Sequence, residues 1–273
     1  NDPNDPDNPI NYQPDNPNDP INDIGPILEI IKHSWDQAEI TLSPIILDLN
    51  GDGVKTTNVN GANQDGSITN KIYFDHDADG FSQLTGWVDK NDALLVRDIN
   101  NNGTIDSGRE LFGSETLLGS SRTKASNGFE ALKELDSNND GIINNSDTNF
   151  SQLKIWQDLN QNGKTDVGEL KTLEQANITS INLNYTTINT TDSSNNQHKQ
   201  VSSFTETITN EDGVTTTITH DAEDVWMQTN AMFSQTATQI TISDDIKALP
   251  EIDGYGKVHT LREAMQLDTT GTL

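Results

Sequence analysis

The segment Asp158-Leu-Asn160-Gln-Asn162-Gly163-Lys164-Thr-Asp166-Val-Gly-Glu169 sets oxygen donors at loop positions 1, 3, 5, 7, 9 and 12, with glycine at position 6. A hard cation of calcium's size takes about six to eight oxygens, and alternate residues of a tight loop can turn inward together; this is the ligand order of an EF-hand calcium loop. Lys164, at position 7, contributes through its backbone carbonyl, and glycine at 6 permits a turn that a side chain would obstruct. A second segment, Asp136-Ser-Asn138-Asn-Asp140-Gly141-Ile142-Ile-Asn144-Asn-Ser-Asp147, repeats the order with the shorter aspartate as its closing residue.

Three further segments are less regular. Asp98, Asn100, Asn102, Thr104 and Asp106 keep the opening order around Gly103, but Arg109 falls at position 12 and Glu110 one residue later. Either that loop is one residue longer or Glu110 serves another site. Asp75, Asp77 and Asp79 before Gly80, and Asp48, Asn50 and Asp52 before Gly53, have the opening cluster and no acidic residue at position 12; Asp89 or Asp92 could close the Asp75 loop from further along. Any one of these also reads as a solvated turn, because Asp, Asn and Gly are the default turn residues. Five copies in one chain favour Ca2+ as the common cofactor.

The elements that must hold these loops are read from periodicity. Apolar residues step by three at Phe129, Leu132, Leu135 and at Phe150, Leu153, Trp156, which predicts helices packing the Asp136 and Asp158 loops as a pair. Residues 1–25 repeat Asn-Asp-Pro and Asp-Asn-Pro and read as an extended linker. Ile27, Ile30, Ile31, Trp35 and Ala38 predict an amphipathic helix over 26–42, followed by a short apolar strand from Ser43 to Asp48. Residues 104–170 read as the helical calcium region. Residues 178–227 read as three antiparallel strands, with a hairpin turn at Asp212-Gly213 and a polar loop over 187–199. Thr260, with Glu263 three residues on, caps a last helix to Leu267. The expected fold class is α+β: EF-hand-like calcium loops with short helices packed on a small antiparallel sheet. A module spans 43–230, and 231–273 form an extension or the start of another module.

The chain has 43 acidic and 16 basic residues, a net charge of -27 and no cysteine. This excess excludes nucleic acid and anionic lipid as partners, and its self-repulsion makes bound calcium a source of folding energy. Disulfides and thiolate chemistry are unavailable. No apolar run is long enough to span a membrane. An acidic, cysteine-free, loop-rich chain fits a secreted or bacterial cell-surface location, where calcium reaches about millimolar levels. Cytosolic calcium sensing is the competing reading. The first residue is not methionine, so the sequence reads as a piece of something longer.

Several unrelated segments then follow one another: Pro44-Ile-Ile-Leu-Asp48-Leu-Asn-Gly-Asp52-Gly, Phe74-Asp-His-Asp77-Ala-Asp-Gly-Phe, Thr85-Gly-Trp87-Val, Leu95-Val-Arg97-Asp-Ile-Asn and Gly108-Arg-Glu110-Leu-Phe-Gly113. With Ile155-Trp-Gln-Asp-Leu-Asn160 and Asp224-Val-Trp226, they resemble the calcium-dependent self-processing module of FrpC-type RTX proteins, which are type I secreted. The resemblance implies calcium-triggered scission of an Asp-Pro bond at the module's first residues. The aspartate carboxylate attacks its own backbone carbonyl, the proline nitrogen leaves, and the cyclic anhydride passes to water or to a lysine amine as an isopeptide link. Here the corresponding residues are Ser43 and Pro44. Serine cannot form the anhydride, so cleavage by that route is expected to be lost. Attack by its hydroxyl on the preceding carbonyl would break Leu42-Ser43 instead, through an ester.

Other classes fit less well. A hydrolase using Glu110, His76 or Asp224 finds no HExxH or GxSxG spacing to support it, and His76 reads as a surface residue in an acidic turn. An adhesive or partner-binding domain, with 178–227 presenting an edge or face to another protein or a cell surface, is compatible with the calcium reading.

Overall fold

A computed structural model describes residues 39–64, 66–254 and 256–271, and the linker and most of the helix expected over 26–42 lie outside these. Glu39–Leu42, at the end of that expected helix, run as a strand instead. The described residues are mostly β. Their main element is a twelve-stranded sheet in which every pairing is antiparallel.

Three short apolar strands sit in the middle of this sheet: Ile45–Leu47, Ala93–Val96 and Lys154–Trp156. They pair in register, Ile46 opposite Leu94 and Leu94 opposite Trp156. Successive strand residues point to opposite faces, so Ile45, Leu47, Leu95 and Ile155 enter one core while Ile46, Leu94, Val96 and Trp156 enter another. A strand covered on both faces needs apolar residues without alternation, which accounts for the uninterrupted runs at 45–47 and 93–96. The first core is completed by Phe129, Leu132, Ile143, Ile181 and Phe204. The second holds Trp87, Trp156 and Phe74, with ring centroids 5.1 to 5.9 Å apart.

The backbone of the sheet is one 22-residue strand, Thr215–Thr236. It pairs with Gln197–Thr209 through a turn at Glu211–Gly213, and then with Ile45–Leu47. Its last third pairs with Glu39–Leu42 and with Phe81–Thr85. The predicted hairpin is therefore part of a much larger sheet. The expected polar loop over 187–199 is itself largely strand, Thr186–Thr191 pairing back onto Gln197–Thr209.

The α+β expectation is thus overturned, and with it the EF-hand. In the region read as helical, Gly128–Leu132 form a five-residue helix continued by a 3-10 turn over Lys133–Leu135, and this is where Phe129, Leu132 and Leu135 are buried. The second apolar triplet is different. Phe150–Gln152 make only a single 3-10 turn, and Lys154–Trp156 are a strand held between Ala93–Val96 and Leu170–Thr172. A step of three over seven residues does not separate a helix from a strand, and β-branched Ile155 beside Trp156 favours the strand once both faces can be buried. Ile142–Asn144, at positions 7–9 of the Asp136 loop, form a strand, and after Asp147 the chain makes only the 3-10 turn Phe150–Gln152, not a helix. In the C-terminal part, Leu261–Leu267 are helical, with Thr260 Oγ1 accepting from Glu263 N and Glu263 Oε2 from Thr260 N.

Trp156 is fully buried at the junction of the central strands and the aromatic cluster. Trp156→Ala should lower unfolding free energy by about 3–5 kcal/mol, read as a fall in urea midpoint at fixed calcium with an unchanged slope. A loss under about 1 kcal/mol would place the residue outside the core.

Candidate functional site

The five Asx-Gly segments share one backbone. In each, the carboxylate of the first aspartate turns back on its own loop: Oδ1 accepts the amide of position 5 at 3.1–3.3 Å and Oδ2 the amide of the position 6 glycine at 2.8–3.1 Å. To bring those amides inward, position 4 takes a positive φ of 52–75° at Gly51, Ala78, Asn101, Asn139 and Gln161. Position 6 takes one of 70–92°, and there glycine is present every time.

Closure is also shared by three loops. Glu169 accepts the amides of Leu159 and Asp166 at 2.9 and 3.0 Å, and Asp147 those of Ser137 and Asn144 at 2.8 and 2.9 Å. Glu110 accepts those of Ile99 and Asp106 at 3.0 and 2.7 Å. All three carboxylates therefore bind positions 2 and 9 of their loops. The Asp98 loop is one residue longer, the extra residue being taken up by the 3-10 turn Gly108–Glu110, so Glu110 faces the loop from position 13. Inside these loops the polar side chains converge. Asn160 and Asn162 both reach Asp166 Oδ2 at 2.8 Å, Asn100 reaches Asp106 at 3.1 Å, and Thr104 Oγ1 reaches Asp106 Oδ1 at 2.9 Å. In the Asp136 loop Asn138 meets Asp140 at 3.0 Å. Rotating an amide side chain presents its oxygen in place of its nitrogen, so each set can offer oxygens to one central cation.

The loops are paired otherwise than their order in the chain predicts. Ile105 N, at position 8 of the Asp98 loop, donates to Thr165 Oγ1, at position 8 of the Asp158 loop, at 2.9 Å. The Asp136 loop instead meets Asn182 and Leu183. The Asp158 loop is anchored to the second core by Trp87 Nε1, which donates to Asp158 Oδ2 at 2.8 Å.

The two irregular loops find other partners. Asp92 does not close the Asp75 loop. Its Oδ2 accepts Lys55 N, which belongs to the Asp48 loop, at 2.8 Å. Burial, together with the nearby Asp48, Asp89 and Asp52, pushes the Asp92 carboxyl up to about 7, and its buried Oδ1 has no hydrogen-bond partner among the described residues. A divalent cation at the Asp48 loop would satisfy that oxygen and offset the repulsion, so the donor set fits calcium. Asp52 and Asn50 lie on the exposed side of that loop. Asp75, Asp77 and Asp79 bring carboxylate oxygens within 4.8 Å of one another. Lys257 Nζ lies 2.6 Å from Asp77 and 2.5 Å from Asp79. His76 is buried, not on the surface: its Nε2 is 3.0 Å from Thr85 Oγ1, and burial lowers its pKa to about 4.

Ser43 and Pro44 are both buried in the sheet. Ser43 Oγ donates to Asp224 Oδ2 at 3.1 Å and accepts Ser114 N at 3.2 Å; the Ser43 carbonyl also accepts Ser114 N at 3.2 Å. Pro44 O accepts Val225 N at 3.1 Å, and Ile45 N donates to Phe112 O at 2.8 Å. The peptide between Ser43 and Pro44 is thus held from both sides. Gly113 makes this possible, since a Cβ there would lie 1.4 Å from Ser43 O. Asp224 is fully buried, and Gly128 N also donates to its Oδ2. Burial drives its carboxyl up to about 6, against the hydrogen bonds from Gly128 and Ser43. Its Oδ1 has no partner among the described residues.

Sequence reasoning singled out Asp224 but not its place beside Ser43. The available signal was the pair Glu223-Asp224 set between Ala222 and Val225 in a β-rich run. A second buried cluster went unread: His198 contacts Glu223 at 2.5 Å and Asp192 at 3.3 Å. Burial opposes its charge, yet these two carboxylates raise its pKa to about 9.

Folded Asp224 keeps its proton up to about pH 6, whereas the unfolded group releases it near the ordinary 3.8. Its contribution to stability is therefore full below the unfolded value and is lost as pH rises through about 6. The urea midpoint of Asp224→Asn should gain on the parent's across that window and hold a constant difference above it. A difference independent of pH would show that folding leaves the carboxyl's pKa at its unfolded value.

Residues 45–228 match the family model described as the SPM domain. Over 224 residues, 82% of this chain, the sequence is 38% identical to the "Iron-regulated protein FrpA" of Neisseria meningitidis serogroup C, of which the match covers 19%. The chain thus spans about a fifth of the length of that relative. With the match running from the buried strand after Pro44 to the far side of Asp224, the chain belongs to the SPM domain family.

Proposed function

We propose that this chain is a calcium-stabilised module of a secreted or surface-located RTX-type protein, in which the self-processing junction is present but chemically silent. The observation that carries this reading is the Ser43-Pro44 peptide itself, clamped by Ser114, Phe112 and Val225, with a hydroxyl where the chemistry needs a carboxylate. The clamp supplies the orientation that an intramolecular attack requires. The serine cannot become an acyl carrier through a five-membered anhydride.

Calcium supports this reading through charge. A chain of net charge -27 that gathers carboxylates into five loops gains folding energy from each cation it neutralises. The Asp98 and Asp158 loops stand against the second core, and the Asp48 loop directly follows the strand that begins after Pro44. Filling them would fix the strands that hold the junction. With aspartate at 43, its γ-carboxylate oxygen would bond to the residue's own carbonyl carbon and the bond from that carbon to Pro44 nitrogen would break. The nitrogen would take up a proton, leaving an anhydride for water or an amine.

Ser43→Asp in about millimolar calcium should yield two fragments whose masses sum to the chain plus one water, by intact mass spectrometry. The parent should stay whole under the same conditions. Both proteins should gain ordered far-ultraviolet dichroism on calcium titration from a chelator-treated start. An uncleaved but calcium-ordered Ser43→Asp protein would remove the self-processing part of the reading. Dichroism indifferent to calcium would remove the other part.

A further inference from the structure

The chain has four arginines, Arg97, Arg109, Arg122 and Arg262. Arg262 is engaged, donating to Leu249 O and lying 3.6 Å from Glu251. The other three line a single cavity of about 370 Å³. Arg97 follows the strand Ala93–Val96, Arg109 sits in the turn Gly108–Glu110, and Arg122 lies between the strands Leu117–Leu118 and Thr123–Lys124. Among the described residues, none of these three guanidinium groups forms a hydrogen bond or ion pair. They remain unpaired in a chain with 43 carboxylate side chains against 16 basic ones.

The acidic residues on the same walls are turned elsewhere. Both oxygens of Glu110 are taken by loop amides, Asp106 is held by Asn100 and Thr104, and Glu134 Oε2 accepts Gly119 N at 2.8 Å. Leu111, Phe112, Leu117, Ala131 and Leu135 supply an apolar wall, beside the uncharged polar Ser107 and Thr116. Arg109 is the residue that displaced the closing glutamate of the Asp98 loop from its usual position. With Glu110 facing the loop, Arg109 faces the cavity.

We infer that this cavity binds an organic monocarboxylate with a compact apolar body. A guanidinium's planar fork matches a carboxylate's two oxygens. The volume and apolar lining are those of a small-molecule pocket with few polar anchors. Asp106, Glu110 and Glu134, although bonded elsewhere, line the same walls and offset the charge of the three arginines, which disfavours a dianion such as phosphate against a single charge. The site depends neither on scission at Ser43 nor on its absence.

The test is isothermal titration of the whole chain, at fixed calcium, with hexanoate as the probe and with hexanamide and acetate as comparisons. Hexanoate should bind, and hexanamide and acetate should bind roughly tenfold more weakly or worse. The double variant Arg97→Gln/Arg109→Gln should lose hexanoate affinity by roughly tenfold or more while keeping the parent's dichroism and urea midpoint. Three results would overturn the proposal: no heat with hexanoate, hexanamide binding as well as hexanoate, or hexanoate binding that survives the double substitution. Should the double variant fail to fold, Arg122→Gln, at an exposed turn, replaces it and is read the same way.

Discussion

A carboxylate that must be taken out of its neighbours' repulsion can be given backbone amides, and the rest of this structure depends on that exchange. Each of five aspartates spends its two oxygens on the amides of positions 5 and 6 of its own loop. The cost is a backbone with two positive φ angles separated by one residue. The return is a compact corner that joins strands of two to five residues with little apolar surface of its own. With corners of this kind, the chain builds a wide antiparallel sheet from pieces that are individually too short to be stable. The helices that would do this work in an EF-hand are not needed.

What was legible in the sequence follows from this. The loops could be read because their constraint is local: an aspartate at position 1 and glycine at position 6 in all five, and a carboxylate at position 12 or 13 in three, make bonds that close within thirteen residues. The apolar run from Ser43 to Asp48 was legible as a short strand, but its burial on both faces, shared with Ala93–Val96, depends on partners distant in sequence. The helix expected at Phe150, Leu153 and Trp156 failed because its outcome was set from outside. Lys154–Trp156 had two strand partners, at 93–96 and 170–172, that no seven-residue window contains. The pairing of the Asp98 loop with the Asp158 loop was hidden likewise, since the bond from Ile105 to Thr165 skips the intervening Asp136 loop.

The junction at Ser43 lies at the opposite extreme from the loops. Its oxygen meets a carboxylate 181 residues away, its carbonyl meets an amide 71 residues away, and the glycine that admits it is Gly113. No spacing rule could have joined Ser43 to Asp224. What could be read was chemistry by position: a proline after residue 43, and an acidic run, Asp221, Glu223 and Asp224, that meets Val225-Trp226 in a β-rich stretch. The burial that raises the Asp224 carboxyl to about 6 exists only once the sheet has closed over it.

This gives the long strand Thr215–Thr236 a temporal meaning. Residue 224 is near the end of the family domain, and residue 43 is just before its start. Contacts so distant in sequence form late, because the loop closed by them is nearly the whole domain. The surroundings of the Ser43-Pro44 peptide are therefore a completion signal. They come into being only when the last strand has been laid beside the first. On the proposed reading, an aspartate placed at 43 in an incomplete or partly folded domain would have no environment in which to act on its own chain.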